Sequence, residues 1–253
     1  MGKVKKLMVN TRIIKITEQS SPSKQESWRM FNRIARRYDL LNRLLSLRQD
    51  VRWRKKLTEY LPDRENLFVL DLATGTADVL LSLFANSPRV SRGIGVDPAE
   101  EMLRIGQKKI QQQQLSDRIE LRTGDAMQLP FPASTFDVVT IAFGIRNVPD
   151  VPAALSEMYR ILKRGGRALV LEFSLPENKL LRTLYLFYFR HILPGVGGFI
   201  SGDAFAYKYL NRTVETFPYG EDFCEILRAQ KFENVRYAPL TFGIATIYRG
   251  DKV

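Results

Sequence analysis

Between residues 68 and 173 the chain alternates short buried-type runs with stretches of helical period, and few folds accept that rhythm. The runs are Phe68–Leu72, Gly93–Asp97, Ile119–Arg122, Phe136–Phe143 and Ala168–Phe173. Helical patterns fill the gaps at Asp78–Phe84, Ala99–Gln113 and Val151–Leu162, with Gly165-Gly166 expected to stop the last. Parallel strands need long crossovers, and helices supply them. A further helix near Asp222–Gln230 and strands near Val235–Leu240 and Gly243–Tyr248 complete the set. The expectation is α/β: a mostly parallel, seven-stranded sheet with helices on both faces.

Two segments fall outside the alternation. From Glu26 to Leu61 apolar Trp28, Phe31, Ile34, Ala35, Tyr38 and Leu41 recur at spacings of three and four, and Pro62-Asp63 closes the region. Residues 178–215 are apolar and aromatic, and they read as a lid-like helical insertion after the fifth strand. The expected organisation is a mobile basic lead over 1–24, a helical segment over 25–62 and the α/β domain over 63–253.

Charge is concentrated at one end. Residues 1–60 hold 16 of the 39 Lys/Arg but only 5 of the 27 Asp/Glu. Such a segment attracts anionic lipid, nucleic acid or an acidic partner. One Cys excludes an internal disulfide, and one His makes a histidine metal site untenable, so no metal is expected. Cys224 reads as a small buried hydrophobe. No run approaches the ~18 apolar residues of a membrane span. The start lacks both a signal-peptide core and the Ser or Thr that the myristoylation pattern wants at Lys6.

The turn after the first strand reads Asp71-Leu72-Ala73-Thr74-Gly75-Thr76-Ala77-Asp78. A strand, a Gly turn and a helix start make a ligand loop, with Gly75 and Thr76 at its centre. A single glycine disfavours pyrophosphate. The acids Asp71 and Asp78 suit a cationic ligand, such as a sulfonium. Asp97 ends the second strand at the spacing where a carboxylate accepts from both ribose hydroxyls. Asp125 and Ala126, just past the third strand, are placed to meet the adenine amine and a ring nitrogen. Together they point to S-adenosylmethionine.

On these residues the sequence resembles the ubiquinone/menaquinone biosynthesis C-methyltransferases, the UbiE/MenG family of class I methyltransferases with a Rossmann-like fold. The motifs are Tyr38-Asp39-Leu40-Leu41-Asn42 with Ser46 and Trp53, Phe143-Gly144-Ile145-Arg146-Asn147-Val148, and Arg160–Ser174. Departures include Leu41 for Met, Asp50 for His, Ala77 for Gly, Ala142 for a hydroxyl residue and Arg164 for Pro. The resemblance implies methylation at a ring carbon of a demethylated, polyprenylated quinol, demethylmenaquinol or a ubiquinol precursor.

A quinol carbon becomes nucleophilic when the neighbouring hydroxyl ionises, from a reference pKa of about 10. A cation beside that oxygen favours the phenolate. Arg146 is the first candidate, against a structural pairing with Asp150. His191 is the candidate general base, and Asn147, Tyr38 and Tyr207 are further lining candidates. A lipid substrate implies a cytoplasmic enzyme, peripheral at the inner face of the membrane, and analogy suggests a homodimer. An RNA or DNA methyltransferase is the rival reading. Against it, Ala142-Phe143-Gly144-Ile145 lacks the Asn/Asp-Pro-Pro-aromatic motif of amino-methylating nucleic-acid enzymes.

Overall fold

The computed structural model describes residues 24–192 and 204–253. The lead expected over 1–24 lies outside them apart from Lys24, as do residues 193–203 of the insertion.

Seven strands form one sheet: β1 (Leu67–Leu72), β2 (Val90–Asp97), β3 (Ile119–Thr123), β4 (Phe136–Ala142), β5 (Leu162–Phe173), β6 (Glu233–Leu240) and β7 (Ala245–Lys252). The order is β3-β2-β1-β4-β5-β7-β6. β1 to β5 pair in parallel, and β7 runs antiparallel to both β5 and β6. The strand order reverses beside β1, so β1 and β4 diverge at their C-terminal ends into the crevice where such sheets bind ligands.

Three helices connect the parallel strands: α3 (Asp78–Asn86), α4 (Glu100–Gln112) and α5 (Val151–Ile161). Alternation along β5 shows why both faces are covered. Leu169 and Leu171 enter one core with Leu80, Leu57 and Trp53, while Ala168 and Val170 enter the other with Leu155, Met158 and Phe223. Cys224 is buried in that second core, and burial pushes its thiol up to about 11.

One boundary differs from expectation. Gly165-Gly166 does not stop α5. Leu162 already turns extended (φ −68°, ψ 139°), and the glycines lie inside β5. Phe136 pairs with Leu162 but Val138 pairs with Arg167, so the intervening residues form an irregularity, and Gly165 takes φ +71°.

The N-terminal segment folds as α1 (Ser27–Leu45) and α2 (Gln49–Lys56). After β5 come α6 (Lys179–Phe187), a π turn (Tyr188–Ile192), α7 (Ala204–Thr216) and α8 (Glu221–Ala229). Met30 and Leu41 of α1 join Leu175, Phe189, Tyr209 and Val214 in a third cluster. This cluster roofs the C-terminal side of the sheet.

The loop between β1 and α3 is bent hard. Ala73, Gly75 and Ala77 all have positive φ, at 47°, 55° and 65°. A left-handed alanine costs about 1–2 kcal/mol. Ala77→Gly is therefore expected to stabilise the protein by about 1 kcal/mol, less the entropy glycine adds to the unfolded chain. Thermal unfolding of the two proteins checks it, and a lower midpoint for the glycine variant contradicts it.

Candidate active site

The turn after β1 is held by a buried carboxylate. Thr74 and Thr140 each donate a hydroxyl to Asp71, at 2.6 and 2.5 Å. Burial outweighs these bonds and pushes Asp71 up to about 7. Gly144 lies against this turn: a Cβ there would sit 2.5 Å from that of Ala73. Only glycine permits the β1 and β4 loops to meet so closely.

Between these loops opens a cleft of about 550 Å³, within the range of small-molecule sites. Gly75, Asp97, Asp125 and Ala126 line it, with Ala142, Asn147 and Met102. Asp97 Oδ2 accepts from the Gly75 N–H (2.9 Å) and Oδ1 from the Ala99 N–H (2.8 Å). A carboxylate has about four acceptor positions, so room for two ribose hydroxyls remains. Asp125 accepts from the Met127 N–H at 2.8 Å, which fixes its side chain beside Ala126. Asn147 Oδ1 is buried in the wall without a partner, an acceptor awaiting a donor. The cleft thus fits the ribose and adenine of S-adenosylmethionine.

Other expected residues lie elsewhere. Thr76 does not line the cleft: it donates to Asp39 (2.7 Å) and accepts from Lys109 (2.8 Å). Asp71 is spent on the two threonines. Asp78 binds Lys109 (2.6 Å) and Arg43 (3.3 Å). Neither acid therefore faces a cationic ligand, and the carboxylates that line the cleft are Asp97 and Asp125.

Burial pushes Asp97 up to about 6, although the Ala99 and Gly75 amides pull it down. A carboxylate with a raised folded pKa stabilises below its unfolded pKa and loses that contribution as pH rises through the folded value. Asp71 acts in the same direction up to about pH 7. The contribution of both groups to the free protein's stability should therefore grow as pH falls from 8 towards 4. Cofactor affinity should move the opposite way, weakening below about pH 6 as Asp97 loses its charge. Asp97→Ala should cost about 1.5–3 kcal/mol of affinity, roughly 10- to 150-fold. Calorimetric titration against pH tests both, and an unchanged affinity in a folded variant removes Asp97 from the site.

A second cavity, of about 110 Å³, lies under the helical roof. Met30, Ile34, Leu41, Trp53, Phe173 and Phe189 make it apolar. Arg146 enters from the 3₁₀ turn after β4. It is 4% exposed, and its NH1 donates at 2.6 Å both to Glu172 Oε1 and to the Phe143 carbonyl. Its guanidinium lies 5.3 Å from the Phe173 ring centroid. Arg146 Nε and the nearby Tyr185 hydroxyl are buried with no hydrogen-bond partner, and both residues line this chamber. The expected pairing with Asp150 does not occur, because Asp150 caps α5 by accepting from the Ala153 N–H at 2.9 Å.

His191 is exposed on the π turn, 5.1 Å from the Phe187 ring, and does not line the chamber. Tyr38 lines both cavities, while the Tyr207 side chain lies outside those described. The carboxylate that does line the chamber stood in the sequence only as a departure from the family pattern and not as a site candidate. It is Asp50, which accepts from Ser46 (2.8 Å) and Arg54 (2.6 Å). Its signal was the four-residue spacing of Ser46, in the turn before α2, and Asp50 and Arg54 within it. The two cavities share a wall of Phe31, Tyr38 and Phe143.

This sheet and cleft define a class I S-adenosylmethionine-dependent methyltransferase. A crystal structure from Thermotoga maritima, described as a SAM-dependent methyltransferase and possible histamine N-methyltransferase, has the same fold. It aligns with TM-score 0.65 and 21% identity, over 89% of this chain and 99% of that one. More specifically, the chain belongs to the ubiE/COQ5 methyltransferase family, whose model matches residues 19–252. A Geobacter sulfurreducens protein named ubiquinone/menaquinone biosynthesis C-methyltransferase is 45% identical over 94% of this chain and 93% of its own length. The demethylmenaquinone methyltransferase of Thermus thermophilus is also 45% identical, over 88% of this chain and the whole of its own.

Proposed function

We propose that this enzyme methylates a ring carbon of a polyprenylated quinol, converting demethylmenaquinol to menaquinol, or a ubiquinol precursor in the same manner. The observation that carries this reading is the shared wall. A polar cleft fitted to an adenosyl group abuts a largely apolar, aromatic chamber lined by two buried arginines, Arg54 paired with Asp50 and Arg146 with its Nε unspent. Relatives named for quinone methylation support the substrate class.

When bound in the cleft, S-adenosylmethionine supplies a methyl group activated by its sulfonium. The chain's own residues prepare the acceptor. Phe143, Phe173 and Tyr38 hold the ring and exclude water. Once the quinol hydroxyl has given its proton to solvent, Arg146, with Nε unspent, stabilises the oxygen as phenolate and so raises electron density on the adjacent carbon. That carbon forms the new C–C bond as the S–CH₃ bond breaks, then loses its proton to restore the aromatic ring. Asp50, in place of the expected His191, is positioned to accept that proton. Arg54 holds it by an ion pair that leaves the remaining lone pairs for the chamber.

The test is an assay with labelled S-adenosylmethionine and both demethylated quinols, with the new methyl group located chemically. Label on a ring carbon supports the reading. Label on oxygen, or on neither quinol, overturns it.

A further inference from the structure

We propose that the outer face of α1 and α2 docks onto an anionic lipid bilayer. From Ser27 to Lys56, every side chain described as exposed belongs to arginine, lysine, leucine or valine. The cations include Arg36, Arg48, Arg52 and Lys55, and between them stand Leu40, Leu44, Leu47 and Val51. The acids of the two helices turn inward. Asp39 binds Lys109 at 2.5 Å and Asp50 binds Arg54, and the exposed carboxylates that flank the two helices, Glu26 and Glu59, pair with the end cations Arg29 and Lys56 and leave the cations between them.

The corner between the helices strengthens the argument. Leu47 and Arg48 both adopt positive φ, at 51° and 61°. Such residues are uncommon and costly. The result is Leu47 held 80% exposed, where it contributes nothing to this chain's core. Aliphatic tips among cations match the boundary between acidic headgroups and acyl chains. Arginines also serve nucleic acid, but the exposed aliphatic tips between them meet no partner on a phosphate backbone, whereas acyl chains bury them.

A second helix repeats the arrangement. On α6, Leu180, Leu184 and Phe187 are exposed at spacings of four and three, while Tyr185 faces the chamber. α1 does likewise, with Tyr38 and Leu41 lining the chamber and Leu40 and Leu44 outside it. Helices that wall the chamber thus carry apolar outer faces. Docking would bring the chamber close to the membrane in which a prenyl tail resides, and this last point rests on the quinol reading. The lipid contact itself stands on the surface alone.

The experiment is flotation of the full chain with vesicles of phosphatidylcholine, with and without phosphatidylglycerol. The parent should float with the anionic vesicles, and Leu44→Glu/Leu47→Glu should reduce its partitioning at least about tenfold. Its thermal midpoint and its methylation of a short-tailed, water-soluble quinol should not change. Deleting residues 1–23 should leave most of the partitioning in place. Equal flotation of parent and double variant overturns the proposal, as does complete loss on deleting residues 1–23. So does sedimentation, without vesicles, showing a dimer that the double variant dissociates. Flotation is read without turnover, so a wrong surface and a wrong reaction give different results.

Discussion

Arg146→Met should slow methyl transfer by about 10²–10³, the usual cost of removing an electrostatic stabiliser from an enclosed site. S-adenosylmethionine affinity should change little, because Arg146 does not line the cofactor cleft. The defect should shrink as pH rises, since solvent hydroxide then ionises more quinol without help. Arg146→Lys should recover only part of the rate, because an ammonium lacks the planar fork that serves Glu172, the Phe143 carbonyl and the substrate together. The substitution also strips Glu172 of its cation, so the kinetic comparison includes Arg146→Met/Glu172→Gln, in which no buried charge is stranded. Single-turnover rates across pH are the measurement. If the double variant turns over at nearly the parent rate at neutral pH, Arg146 holds the fold and not the phenolate.

The second large effect concerns the other half of that pair. Glu172 is fully buried, bonded to Arg146 at 2.6 Å and to the Phe173 N–H at 2.8 Å. Glu172→Ala leaves the guanidinium buried and uncompensated, which should cost about 3–5 kcal/mol. For a chain of this size the midpoint falls by roughly 2–4 °C per kcal/mol. Arg146→Met/Glu172→Ala should be more stable than Glu172→Ala alone, because the apolar side chains around Arg146 accept methionine and no unpaired charge is left there. A double-mutant cycle in denaturant measures this coupling. Additive losses would show that the two side chains do not act as a pair.

The two experiments separate the roles of one buried ion pair. Stability depends on both charges being present or both absent. On the proposed mechanism, rate depends on the arginine alone. The pair is therefore weak as a stabilising element, and the apolar surroundings that make it costly also make Arg146 effective towards a developing negative charge.

The β-strands, their order of appearance and the positions Gly75, Asp97, Asp125 and Ala126 that line the cleft were legible in the residues. They depend on short-range rules. Alternation buries a strand, a tight turn follows it, and a carboxylate at its end meets whatever occupies the crevice. α1 and α2 fall within the stretch that the same rules read as helical, and so do the described helices after β5. The rules failed where a side chain's direction depends on a partner far along the chain. Thr76 belongs to the right loop, but Asp39 and Lys109 claim its hydroxyl. Asp78 sits at the expected helix start, but Lys109 and Arg43 hold it away from the cleft.

Arg146 was identified from its motif, yet its partner was not. Asp150, four residues away, was the local choice, and Glu172 on the neighbouring strand is the actual one. Asp50 was noted only as a departure from the family's His, because only the packing of α2 beneath the roof brings it to the chamber, whereas His191 was chosen by chemistry and turned outward by the helix on which it stands. Local periodicity and turn chemistry thus determined which strands, helices and ligand loop this protein has. The tertiary structure alone decided which polar groups are spent on one another and which remain for a substrate, because that depends on long-range burial and on a competition for partners that spacing does not record.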